Sequence, residues 1–191
     1  MTYEEALAYI SRFGRFGMKL GTERTRAILE KLGNPERGLR GALVAGTNGK
    51  GATGVCLASI LRAAGRNVGF MPKPHLVSYT ERIELNGVPI SEEDFVRTLE
   101  ELKPVLDAIT GEIGQATEFE MLTAMALAYL APRIDRLVCE VGLGGRLDAT
   151  NASTSASRSS RMSIWTTRNI SATRSSRSPS RKHRSSSRAT T

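Results

Sequence analysis

Cysteine and histidine are nearly missing from this sequence, with two of each in 191 residues. Cys56 and Cys139 stand alone in apolar surroundings, without CxxC spacing or a histidine at a metal-binding interval, so both are expected to be buried thiols acting as small hydrophobes. With His75 and His183 as the only histidines, a zinc site built wholly from this chain is not expected. Long apolar runs are missing too. No stretch approaches the roughly 18 residues needed to cross a bilayer, and the N-terminal MTYEEALAYISRFG carries acids where a secretory signal would carry bases. The expectation is a soluble, cytoplasmic protein without a membrane partner.

Acids are also absent from one part of the chain. Residues 152–191 hold eight Arg, one Lys and no Asp or Glu, which leaves 18 basic and 19 acidic residues in the remainder. The overall net charge of +8 therefore belongs to the tail and says nothing about residues 1–151. The tail is Ser, Arg and Thr with almost nothing to bury, so it cannot offset its ordering entropy and is expected to be disordered.

What is present before residue 152 has a clear period. Apolar residues recur at helical spacing over Tyr3–Phe13 and Glu23–Leu32, the second stopped by Gly33-Asn34-Pro35. Ala42–Ala45 suits a buried strand, Lys50–Ala64 a helix ending at Gly65, and NVGFM a second strand. That succession is a parallel βαβ unit. Asn86-Gly87 inside RIELNGVPI predicts a hairpin, and Ser91 caps a helix running towards Ile109, with Pro104 as a candidate kink. Thr117 and Glu120 have capping-box spacing ahead of the apolar MLTAMALAYL, which Pro132 ends. DRLVCEV is then a buried strand leading into GLGGRLDATN. The fold class is α/β and P-loop NTPase-like, a mainly parallel sheet flanked by helices.

The stretch VAGTNGKGAT carries the chemistry. A phosphate must be met at close range by backbone N–H groups, which glycines leave uncovered, by a helix N-terminus and by a cation. Gly46, Thr47, Asn48, Gly49, Lys50, Gly51, Ala52 and Thr53 supply such a loop, with Lys50 able to reach the β and γ phosphates of ATP. The strict P-loop pattern fails twice: Val44 replaces its first glycine, and Gly51 follows the lysine where a hydroxyl would bind magnesium. A glycine-rich turn with a solvated lysine is the competing reading. Glu140, at the carboxyl end of an apolar strand, favours the phosphate reading, because a Mg2+ ion shared with nucleotide phosphates would offset its desolvation. An acid merely solvated at a strand end is the alternative.

Three long motifs in order, VAGTNGKGAT (44–53), PKPHLVSYTERI (72–83) and EVGLGGRLDATN (140–151), resemble the folylpolyglutamate synthase/dihydrofolate synthase family, relatives of the Mur ligases. RFGMKLGTERTRAILEKLGNPER and TEFEMLTAMALAYLA are similar to the family's N-terminal and folate-side helices. The resemblance covers residues 1–151 as the N-terminal part of an ATP-binding, Mur ligase-type central domain. It implies an ATP-dependent ligase that joins L-glutamate to a folate or dihydropteroate carboxylate through an acyl phosphate. By the resemblance, residues 46–51 cradle phosphate, Lys50 and Glu140 are the catalytic candidates, and Glu140 with Thr53 is the magnesium candidate. His75, Arg82 and Glu120 are substrate-side candidates, although each has a plain structural reading: a turn histidine, a local ion pair and a helix cap. The chain departs from the family at Ala52, where a serine is usual, and at Lys73, in place of a serine that binds magnesium in relatives; weakened or altered magnesium binding is expected from the second change.

After DATN the family continues with a strand, an LDHTEYLG-like motif, a modified lysine and a second domain. Synonymous codons for residues 157–183, read from the third base, can be written as AVVTNVDLDHTEYLGDTLEQIAKQKA. Met162 and Trp165, with one codon each, fit this reading. The expectation is a frameshift just after the DATN region, leaving a truncated monomeric chain without the C-terminal ligase domain and with little or no activity. The competing class is an Arg/Ser arm that binds nucleic-acid phosphates without specificity; the shortage of aromatics beyond Trp165 argues against it. A plain nucleotide-binding module is the other alternative.

Overall fold

The computed structural model describes residues 1–13 and 22–142, and the backbone of 161–166. Two short helices, α1 (Tyr3–Ser11) and α2 (Glu23–Lys31), precede β1 (Arg40–Ala45). Helix α3 (Lys50–Ala63) follows, then β2 (Val68–Met71), a 3-10 turn (Tyr79–Arg82), and the hairpin β3 (Glu84–Leu85) and β4 (Val88–Pro89). Helices α4 (Glu92–Ile113) and α5 (Glu118–Leu130) lead to β5 (Arg136–Glu140), and β6 spans Arg161–Thr166.

The sheet order is β4-β3-β2-β5-β1-β6. β2, β5, β1 and β6 run parallel, and β3 and β4 add antiparallel strands at one edge. The expected mainly parallel sheet is therefore present. Asn86 (φ 54°) and Gly87 (φ 81°) form the hairpin turn in the left-handed region that their residue types tolerate.

The two faces of the sheet are unequally covered. On one, α4 lays down a stripe of Phe95, Leu99, Leu102, Leu106 and Ile109 at spacings of three and four, each at most 1% exposed. These pack with Ile10, Ile28, Met121 and Met125 in the larger core. α5 is buried nearly all round, which explains why its sequence has no polar stripe. The other face holds α3 over a small cluster of Val44, Ala58, Val68, Phe70 and Val138. There Gly54 is needed for contact: a Cβ would stand 2.7 Å from the Phe70 ring.

Helix limits follow the caps. Ser91 Oγ accepts from Asp94 N–H (3.1 Å), and Thr117 with Glu120 makes the full capping box. α4 runs past the expected Ile109 to Ile113, with Pro104 on an exposed position of a continuous helix, and Gly114 ends it at φ 89°. Two expectations are corrected. Cys56 is exposed, because it lies on the outward side of α3, while Cys139 is buried as expected. Within the tail, residues 161–166 form a strand in register with β1, from Arg40↔Arg161 to Ala45↔Thr166. The RMSIWT window is the tail's most β-prone segment, and the open side of β1 offers it backbone hydrogen bonds.

Candidate nucleotide site at the carboxyl ends of the strands

Parallel strands β1, β2 and β5 all deliver their following residues to one end of the sheet, where open α/β sheets take ligands. From β1 the chain enters the glycine loop. Gly46 (φ 147°) and Gly49 (φ 75°) both take backbone conformations that side chains resist, and Gly49 is the N-cap of α3. Thr53 N–H donates to Gly49 C=O at 3.0 Å, so Thr53 sits on the first turn of the helix, with Ala52 exposed beside it. Thr47, Asn48 and Gly49 are exposed. The Lys50 ammonium folds back over the loop and donates to the carbonyls of Gly46 (3.0 Å) and Thr47 (3.3 Å).

Glu140 ends β5 opposite Val44 of β1, and is only 4% exposed. Its Oε2 lies 3.5 Å from the position a Cβ would take on Gly51. The same oxygen accepts the main-chain N–H of Lys73, which follows β2, at 3.1 Å. One carboxylate oxygen thus bonds the residue that follows β2 and lies beside the start of α3. Gly51 and Glu140 are thereby neighbours, while the Lys50 ammonium is engaged with its own loop.

A second group adjoins it. The Lys73 ammonium is buried and stands 3.8 Å from the centroid of the Phe119 ring, on the first turn of α5. Arg82 Nε–H donates to His75 Nδ1 at 2.7 Å, and the His75 ring packs on Tyr79 with centroids 4.2 Å apart. Tyr79 O–H donates to Glu118 at 3.0 Å. Glu81 fastens this loop: its carboxylate accepts the N–H groups of Leu76, Val77 and Ser78 at 2.7–3.0 Å. Those backbone bonds, that to Leu76 first, hold its carboxyl below the ordinary glutamate range. Leu76 and Val77 point outward, 88% and 91% exposed.

Glu120 is engaged by structural partners. It accepts Thr117 N–H (2.8 Å) and meets Arg24 of α2 twice, Nε at 3.0 Å and Nη2 at 2.9 Å. The cap reading explains it. Sequence reasoning passed over Arg24, Phe119, Glu118 and Tyr79, whose partners are distant in the chain. Residues 143–151, most of GLGGRLDATN, lie outside the described residues.

The donors fit a hard cation of magnesium type only in part. Glu140 is a buried carboxylate, and Thr53 brings a hydroxyl to the neighbouring helix turn. Among the described residues no group of three His, Cys, Asp or Glu side chains could hold a metal ion. Such an ion would therefore draw most of its ligands from phosphate and water, as Mg2+ commonly does.

Comparison with known proteins decides the lineage. The dihydrofolate synthase/folylpolyglutamate synthase of Bacillus subtilis is 41% identical over 152 residues, 78% of this chain and 35% of the relative. The Escherichia coli counterpart is 40% identical over 146 residues, 76% and 33%. The folylpolyglutamate synthase structure from Thermotoga maritima superposes with a TM-score of 0.73 at 44% identity, over 78% of this chain and 35% of that one. The matched region belongs to the folylpolyglutamate synthase/dihydrofolate synthase family. A folylpolyglutamate synthase structure in complex with AMPPCP and folate superposes with a TM-score of 0.74 at 36% identity, over 79% of this chain and 38% of that one. No family model matches the chain. The chain spans about 35% of the length of the first of these family relatives. Among the described residues no helix is long and apolar enough to cross a membrane.

Proposed function

We propose that residues 1–151 form the ATP-side half of a ligase site that joins L-glutamate to a folate or dihydropteroate carboxylate. The single observation that carries this is the buried Glu140 oxygen that accepts the Lys73 N–H beside Gly51 of the glycine loop. A carboxylate is a poor electrophile. ATP converts it to an acyl phosphate, with ADP leaving; the glutamate amine then attacks the acyl carbon and phosphate departs. The protein's share is positioning and charge neutralisation.

In this reading the N–H groups of residues 46–51 surround the phosphates, and Lys50 exchanges its two loop carbonyls for phosphate oxygens. Glu140, with Thr53 in support, would hold Mg2+. When bound, that ion would neutralise charge on the transferring phosphoryl group. His75 and Arg82 would orient the acceptor from the adjoining loop, while Glu120 keeps α5 in place and touches no substrate.

Nucleotide binding without ligation is the second reading, since the Lys50 loop alone would support it. The two are separated by ADP release from the chain with its reading frame restored after the DATN region. Release that needs both a folate and glutamate supports the ligase; hydrolysis independent of both supports a simple nucleotide-binding module. The frameshift proposal has its own test, the DNA across codons 150–165. If the only long open frame encodes the Ser/Arg tail, that proposal is lost and the phosphate site is untouched.

A further inference from the structure

β1 feeds the glycine loop, and its two neighbours hold it over different lengths. β5 is in register with Gly41 to Val44, whereas β6 is in register with the whole strand, from Arg40 to Ala45. The pair Ala45↔Thr166 therefore stands next to Gly46, where the loop begins. Without β6 the strand order would make β1 an edge. Ala42, Leu43 and Val44 are buried, and a bare apolar edge would present a row of unpaired N–H and C=O groups to any other chain. Charge does not select the segment that closes it, because the register sets Arg161 beside Arg40. Backbone suitability does: RMSIWT has no proline or glycine to interrupt a ladder, and it ends on the β-prone Ile164, Trp165 and Thr166. A parallel connection takes a dozen residues or more, and residues 143–160 supply that length.

We propose that the outer edge of β1 is a strand-accepting site, that residues 161–166 of the same chain fill it as a parallel strand held by main-chain hydrogen bonds, and that the filled edge steadies the glycine loop from Ala45. What the edge recognises is an extended, β-prone segment free of proline, as in other β-strand additions, and not a particular side chain. Successive residues of a parallel strand turn their N–H and C=O groups to opposite neighbours. One of Ser163 and Ile164 therefore bonds β1, and the other faces away. The statement about the loop rests on residues 46–51 being a nucleotide cradle; the statement about the edge does not.

The test is residue-resolved amide exchange on the full chain, with ADP titrated alongside. In the wild type, alternate amides of 161–166 are expected to exchange at least about tenfold more slowly than in an unstructured peptide of the same sequence, and the chain to be a monomer at every concentration used. Uniformly fast exchange over 161–166 would overturn the proposal. Protection that appears only with a dimer would give the edge to a second copy's segment and overturn the assignment within one chain. Ser163→Pro combined with Ile164→Pro removes whichever N–H faces β1. Protection of 161–166 is then lost, and ADP affinity falls about tenfold. Ser163→Ala combined with Ile164→Val keeps both N–H groups and both properties. Protection lost with ADP affinity unchanged would overturn the support of the loop. Where the wild type binds no ADP, the cradle reading falls while the edge still stands or falls by its exchange pattern; the Thr53 amide, bonded to Gly49 C=O at 3.0 Å, then reports loop order. Should the proline variant fail to fold, Ser163→Gly with Ile164→Gly replaces it, a milder weakening of the strand with the same two losses in smaller measure.

Discussion

Arg24 and Glu120 form a two-point ion pair, Nε to Oε2 at 3.0 Å and Nη2 to Oε1 at 2.9 Å, between α2 and the first turn of α5. Both side chains are largely out of water, at 13% and 3% exposure, so the pair is one in which losing a partner strands a charge. Because α5 also carries Phe119 and Glu118, this pair fixes one wall of the candidate site from outside it.

Arg24→Met should therefore destabilise the chain by roughly 3 kcal/mol, read from chemical unfolding. Thr117→Ala, which removes the cap and the hydroxyl bond to Glu120 but leaves the Arg24 pair, should cost about 1 kcal/mol. At temperatures where both variants are folded, ADP affinity should match the wild type. A selective loss of affinity without loss of stability would return Glu120 to the substrate side.

Gly49 caps α3 at φ 75°. Gly49→Ala places a Cβ in the left-handed region at a cost of about 1–2 kcal/mol, and part of that strain is expected to relax by moving the loop's N–H groups. The predicted outcome is a loss of ADP affinity of at least about tenfold with a small shift in melting temperature. Gly65→Ala, at φ 73° but at the far end of α3, serves as the control: comparable strain, unchanged affinity.

Glu140→Gln retains an oxygen for the Lys73 N–H and removes the buried negative charge. Without divalent cation, ADP should bind about fivefold more tightly than to the wild type, since one repulsion has gone. Added Mg2+ should then change nothing. A variant that still responds to Mg2+ would show that the ion is held elsewhere.

Two glutamates give opposite pH signatures. The Glu81 carboxyl is lowered by the backbone N–H groups it accepts, so its contribution to loop order is full above the ordinary carboxylate value and is lost as pH falls through the lowered one. Amide exchange at Leu76–Ser78 should accelerate, relative to its normal pH trend, only in acid, and Glu81→Gln should abolish that change. Glu36 is buried with Oε2 unpaired, and burial raises its carboxyl. Stability from its neutral form is full below the ordinary value and is lost as pH rises through the raised one. Glu36→Gln should accordingly raise the melting temperature at neutral pH and leave it unchanged in acid.

The parallel unit was legible because each of its parts has a local signal. Gly46 and Gly49 announce the loop, Ser91 and Thr117 announce helix starts, and the apolar run before Glu140 announces a buried strand. The partnership of Arg24 with Glu120 was not legible, since 96 residues separate them and nothing local selects the cation. The burial of Cys56 was misjudged for a related reason: its apolar surroundings suggested a core position, but α3 lies over only a small cluster and turns the side bearing Val55, Cys56 and Ile60 outward. The strand at 161–166 was hidden by composition, because serine and arginine dominate the tail around one short β-prone window, and its pairing depends on an edge of β1 formed 121 residues earlier.

The contrast between the two thiols has a practical use. Cys56 is accessible and Cys139 is enclosed, so a maleimide dye under native conditions should attach at one defined point, six residues along α3 from Lys50. A fluorophore there would sit within two helical turns of the phosphate loop, and its emission would follow ligand arrival in real time without any engineered substitution.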